Sequence, residues 1–200
     1  MGKYMETLIK KRISPQRWSH SLRVAEAAEK LALFWGFDPE KFWLAGILHD
    51  FAREIPLYEL INIAAQAGHQ ILPEEKENPV VLHAPVGAFL VQRDLSITDP
   101  EILKAISHHT VGGCSMSFLD KIIFLADLIE PGRKWLGVNR LRKLAYQDIN
   151  KAMLEALDGT IEYLRRTHQV IHPNTIKARK KIRAEILAQE DGIGKYKMLI

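Results

Sequence analysis

Cysteine is nearly absent from this chain: Cys114 stands alone among 200 residues, which excludes an internal disulfide and suits a reducing compartment. Also missing is any uncharged apolar run of about 18 residues, the length a membrane-spanning helix needs, because Asp or Arg interrupts every apolar stretch. The early Lys and Glu residues are followed by no apolar signal core, so neither a membrane nor secretion is expected, and the expected location is the cytoplasm. Sustained β-branched alternation, the mark of strands, occurs nowhere, and there is no internal repeat or low-complexity segment. Charge of one sign is in small excess: 28 Lys and Arg against 24 Asp and Glu give a formal net charge of +4. The densest basic cluster, Lys177, Arg179, Lys180, Lys181 and Arg183, reads as a solvated helix face, so nucleic acid is not expected as a partner.

What the chain does have is apolar content, 47%, enough for a real core at this length. An all-α single domain over residues 1–190 is expected, followed by a frayed tail at 191–200 that carries two glycines. Proline, glycine and capping residues divide the chain into helices. Ser14-Pro15 caps a helix that runs to Gly36, and Asp38-Pro39 opens one that ends near Asp50. A helix from about Leu57 to Ala67 stops at Gly68, Pro73 to Asn78 reads as a loop, and Pro79 begins the helix that carries His83. Asp99-Pro100 starts a short helix reaching His108-His109. Ser117 and Asp120 have capping-box spacing ahead of the helix that contains Asp127, which Pro131-Gly132 ends. Three more helices follow, at about 139–147, 148–166 and 174–189.

Several polar groups fall on faces that this pattern turns inward. Along Ile122 to Ile129, Asp127 is the lone carboxylate among seven apolar residues, and His20 shares its face with Val24, Ala27 and Leu31. His49-Asp50 ends the apolar stretch from Phe42 to Leu48. Buried imidazoles and carboxylates need partners, and a divalent metal is one partner that would serve them all. Taken singly, each has an ordinary explanation: a histidine hydrogen-bonded to backbone, an Asp127–arginine pair, or a helix-start surface residue in the case of His83. His69, His168 and His172 lie near expected helix ends and are read as structural. The order and spacing of the set are what point to chemistry.

The order His20, His49-Asp50, His83, His108-His109, Asp127 resembles the HD superfamily of metal-dependent phosphohydrolases. Four segments closely resemble its bacterial symmetrical diadenosine tetraphosphate hydrolases: Trp18 to Val24, Ala45 to Asp50, Ala105 to Gly112 and Ile123 to Pro131. The resemblance runs from about Pro15 to Ala178. It implies an HD-type helical bundle with its metal-site core at about 15–130. It implies a first metal on His20, His49, Asp50 and Asp127, and a second on His83 and His109 with Asp50 as bridge. His109, directly before Thr110, is the better match to the family motif, and His108 is the alternative. Iron is the metal implied, while mixed His and carboxylate donors also suit manganese, zinc or cobalt.

The activity implied is symmetrical hydrolysis of diadenosine tetraphosphate to two ADP by a metal-bound hydroxide, with Asp50 and Arg53 catalytic. Arg53, Thr110, Gly112 and Arg133 are expected to contact substrate. Arg53 stands where many HD enzymes have Lys, which exchanges a point donor for a planar fork, and Ala84 follows His83 where the family often has Gly. The alternatives are an HD phosphohydrolase for a mononucleotide, and a nucleotide- or RNA-binding module with a structural metal. A dinucleoside polyphosphate or other nucleotide is thus the expected partner, and the sequence carries no signal for oligomeric state.

Overall fold

A computed structural model describes residues 3–197, with the side chains of residues 5–190. Eleven helices are seen there and no strand: α1 (Lys3–Arg12), α2 (Pro15–Phe34), α3 (Glu40–Leu48), α4 (Leu57–Gln66), α5 (Pro73–Glu77), α6 (His83–Leu95), α7 (Pro100–His108), α8 (Phe118–Ile129), α9 (Val138–Ala145), α10 (Ile149–Arg166) and α11 (Pro173–Lys197). A 3₁₀ turn, Pro79–Leu82, leads into α6. The all-α expectation therefore holds. Of the tail read as frayed, residues 191–197 continue the α11 backbone without described side chains, and 198–200 lie outside the described residues.

The caps act as their sequence suggests. Ser14 Oγ accepts from Arg17 N at 3.2 Å, Asp99 Oδ1 from Glu101 N at 2.9 Å, and Ser117 and Asp120 exchange bonds at 3.0 and 3.1 Å. Two elements depart from expectation. Residues 73–77 form a short helix instead of a loop, because Pro73 sits at its first turn and Glu75 folds back to accept from Leu72 N at 2.8 Å. The first helix, α1, buries Ile9 against the core, and no capping or proline signal precedes it in the sequence.

Helix α8 is the hub. Residues Leu119 through Ala126 are buried without interruption, so its whole circumference is covered, by α2, α3, α7, α9 and α10. Its buried lysine, Lys121, is paired with Asn150 Oδ1 at 2.8 Å and Glu185 Oε2 at 2.7 Å. Helices α2 and α3 meet closely: a Cβ built on Gly46 would lie 2.7 Å from Ala25 Cα. Only the absent side chain lets these backbones approach, and that approach brings His20 on α2 beside His49 at the end of α3. Their ring centroids are 5.2 Å apart.

Candidate metal centre

Three of the clustered histidines share one local device. His49 follows the last residue of α3, His109 follows the last of α7, and His83 follows the 3₁₀ turn. The carbonyls in the last turn of a helix have no intrahelical partner. His49 and His109 each use one of them, and His83 shares the Val80 oxygen with its own backbone N–H: Nδ1–H donates to the oxygen three residues back, His49 to Gly46 at 2.7 Å, His109 to Ile106 at 2.7 Å and His83 to Val80. A carbonyl can only accept, so the proton sits on Nδ1 and the lone pair on Nε2, which faces inward.

His20 cannot use this device, because it lies inside α2, where the carbonyls are already taken. Its Nδ1 donates instead to Glu130 Oε1 at 3.2 Å, just past the end of α8. Glu130 is itself fixed by Arg23 Nε at 2.6 Å and Gly132 N at 2.5 Å. The result is the same: Nδ1 is protonated and Nε2 is free to coordinate.

Asp50 sits between the four lone pairs and divides its oxygens. Oδ2 lies 3.3 Å from His49 Nε2 and 3.7 Å from His20 Nε2, and Oδ1 lies 3.3 Å from His83 Nε2 and 3.7 Å from His109 Nε2. Two buried triads follow, His20–His49–Asp50 and Asp50–His83–His109, each with ligand atoms within 4.8 Å of one another. Asp127 Oδ1 approaches the first triad, 3.0 Å from His20 Nε2 and 3.9 Å from His49 Nε2.

A cation fits this donor set on three counts. His20 Nε2 and His49 Nε2 are buried without a hydrogen bond among the described residues, which such groups rarely tolerate. His83 Nε2 and His109 Nε2 face each other at 3.0 Å, lone pair to lone pair, and the Thr110 hydroxyl beside both, at 3.2 and 3.0 Å, has one hydrogen for two acceptors. The potential is also right. Burial would raise the pKa of Asp50, but the His49, His109 and His83 rings, when a proton stands on Nε2 in place of a metal, hold it well below the usual carboxylate range. Burial would likewise raise Asp127, and Arg133, together with His20 and His49 when they carry a proton on Nε2, keeps it low. His49, though fully buried, is drawn upward by Asp50 and Asp127, whose negative field would equally favour a metal ion. Burial lowers His83, which keeps that ring neutral.

The other expected site residues divide. His108 points away from the cluster, its Nδ1 on Asp120 Oδ2 at 3.1 Å, so His109 is the member of the adjacent pair that the structure brings in. Arg53 is half-buried, and its guanidinium has no partner among the described residues. Arg133 donates to Asp127 Oδ1 through Nη2 and to the Asp127 carbonyl through Nε at 2.8 Å, placing a cation at the edge of the first triad. Gly112 has φ +74° and sits in the turn after His109, where a side chain would press on Ala178. Sequence reasoning passed over Arg17, whose Nη1 donates to Asp50 Oδ2 at 2.8 Å, and over the Arg23–Glu130 pair. Glu130 carried a signal that could have been used, being a carboxylate directly after the apolar run of α8.

The HD domain family model matches residues 17–132, the segment that supplies every residue of this cluster. The chain belongs to the HD domain family. Among relatives of this HD domain, proteins from Bacillus subtilis and Halalkalibacterium halodurans are 38% and 39% identical over 84% and 88% of the chain, and the match covers 89% and 92% of their lengths. Both are named bis(5'-nucleosyl)-tetraphosphatase, symmetrical. A crystal structure from Clostridium acetobutylicum, described as a predicted HD superfamily hydrolase involved in NAD metabolism, superposes with a TM-score of 0.89 at 37% identity, covering 92% of this chain and 99% of that one. HD domains bind divalent metals, and the two triads are of the kind that binding requires. No helix among the described residues is long and apolar enough to cross a membrane.

Proposed function

We propose that the chain hydrolyses a dinucleoside tetraphosphate, diadenosine tetraphosphate in the first instance, symmetrically into two nucleoside diphosphates. The observation that carries this reading is the pair of buried triads sharing Asp50, in a chain similar along most of its length to relatives named for that activity. His20, His49, Asp50 and Asp127 would hold one divalent metal, and Asp50, His83 and His109 a second. Iron is the metal the family resemblance favours, and the donor set also accommodates manganese, zinc or cobalt. Metals held there supply Lewis acidity, acidifying a water and drawing charge from the phosphoryl oxygens.

The chain's own residues account for the rest. Asp50, Asp127 and Glu130 are all held below the ordinary carboxylate range, so none of them stands protonated as a general acid. Little acid is required: the departing nucleoside diphosphate carries a terminal phosphate whose second pKa, about 6 by analogy with phosphate esters, makes it a good leaving group. Arg53, unpaired among the described residues and close to Asp50 in sequence, and Arg133, on Asp127, would neutralise charge that builds on the polyphosphate. The Thr110 hydroxyl and the Gly112 backbone offer uncharged contacts for phosphate oxygens.

The test is to purify the protein without chelator, quantify bound metals by mass spectrometry, and chromatograph the products from diadenosine tetraphosphate. Bound divalent metal with ADP as sole product is expected. Equal ATP and AMP would overturn the symmetrical cut, and absence of turnover by metal-loaded protein would overturn the substrate.

A further inference from the structure

Beside the metal centre a groove of about 510 Å³ opens, lined by residues of the turn between α8 and α9 and the start of α9, among them Arg133, Lys134, Trp135, Leu136, Asn139 and Arg142. Arg133 belongs to both places, since it lines the groove while its donors rest on Asp127. Arg133 thus stands at the border between the groove and the carboxylate of Asp127.

Its floor is stiff. Arg142 spends its donors on the carbonyls of Ile129 at 2.8 Å, Glu130 at 2.8 Å and Arg133 at 2.9 Å, clasping the turn. Trp135 is fixed at two edges: Nε1–H donates to the Leu128 carbonyl at 3.0 Å, and the ring packs over Gly137, where a Cβ would come within 3.3 Å of it. Yet 42% of Trp135 remains exposed, and Leu136 beside it is fully exposed. A large aromatic ring held in one orientation but left open contributes little to the core, and it makes a ready stacking face. Asn139 adds direction. Its Oδ1 accepts from Arg142 Nη1 at 2.7 Å, which fixes the amide, and its NH₂ has no partner among the described residues.

We propose that this groove is the nucleoside subsite: it takes the base of one half of the substrate on the Trp135 face, with Asn139 donating to a ring nitrogen and the phosphates leading past Lys134 and Arg133 to the metals. A flat π-face, a fixed amide donor and two cations leading to a phosphate-cleaving centre match the chemistry of a purine nucleotide. The proposal rests on the function proposed above, and it adds which residues recognise the nucleoside.

The test uses the metal-loaded full chain and compares wild type with Trp135→Ala, Trp135→Phe and Asn139→Ala. Calorimetry gives affinity for ADP and for inorganic pyrophosphate, and kinetics gives KM and kcat for diadenosine tetraphosphate. For Trp135→Ala, Kd for ADP and KM should each rise about tenfold, with kcat changed by less than about twofold and pyrophosphate affinity unchanged. Trp135→Phe, which keeps a ring but loses the bond to Leu128, should recover most of the loss, and Asn139→Ala should weaken ADP alone. Unchanged ADP affinity in Trp135→Ala, or equal weakening of ADP and pyrophosphate, would overturn the subsite. If wild type fails to cut the tetraphosphate, the function proposed above falls, while selective loss of ADP binding in Trp135→Ala would still support the groove.

Discussion

Changing Glu130 to Gln should weaken one metal site and spare the other. Glu130 is buried and accepts four hydrogen bonds, from His20 Nδ1, Arg23 Nε, Arg23 Nη2 and Gly132 N. Gln is nearly the same size but has one acceptor oxygen and an NH₂ that must face a donor. Either His20 loses the acceptor that sets its tautomer, or Arg23 loses its charge partner. Loss of such an outer carboxylate typically costs 10–100-fold in metal affinity, about 1.4–2.8 kcal/mol. The cost should fall on the triad that contains His20. His83 and His109 are posed by backbone carbonyls, which the substitution leaves in place. Stepwise chelator titration followed by mass spectrometry should show one metal released at 10–100-fold lower chelator concentration than in wild type and the other unchanged. Retention of both metals at wild-type affinity would refute the argument that Glu130 poses His20, and equal loss of both would refute the separation into two triads.

Asp50→Ala should abolish turnover and lower the content of both metals together, since both triads lose their shared carboxylate; a folded, metal-poor variant that still turns over would sink the metal-dependent scheme. Gly46→Ala should destabilise by about 1–3 kcal/mol, because the new methyl meets Ala25 backbone and not a movable side chain, and thermal melts should show the loss alongside weaker metal binding at His20 and His49. Chelation should lower the melting temperature of the wild type, because metal binds the folded ligand set preferentially; at 100-fold excess over Kd the contribution is about 2.7 kcal/mol, and an unchanged melt would place the metal outside the folded structure.

The parts of this molecule that were legible in the sequence are those whose cause lies within a few residues. Ser14, Asp99 and Ser117 cap helices by contacts two or three residues away, and the buried face of α8 is a matter of helical period. The clustering of His20, His49, Asp50, His83 and His109 was legible for a different reason, as an order of residues that resembles a family. What stayed hidden depends on meetings across the chain. Arg17 reaches Asp50 and Arg23 reaches Glu130 over separations of 33 and 107 residues, and no periodicity signals either. The helix at 73–77 was hidden in a stretch whose prolines and charges read equally well as a loop, because Glu75 acts there as a cap as well as a buried group against His172, 3.4 Å away.

The posing of imidazoles by their own helix ends has a consequence in time. His49, His83 and His109 each take their orientation from an oxygen three residues back, so each is aimed as soon as its own short segment is formed. His20 is aimed only once the segment carrying Glu130 arrives from 110 residues further along the chain. On these separations alone, three of the four nitrogen donors would be ready early in folding and the fourth would come last. A metal ion that engaged His20 would therefore act as a late latch between the two ends of the HD segment, rewarding the long-range closure that local contacts leave undone.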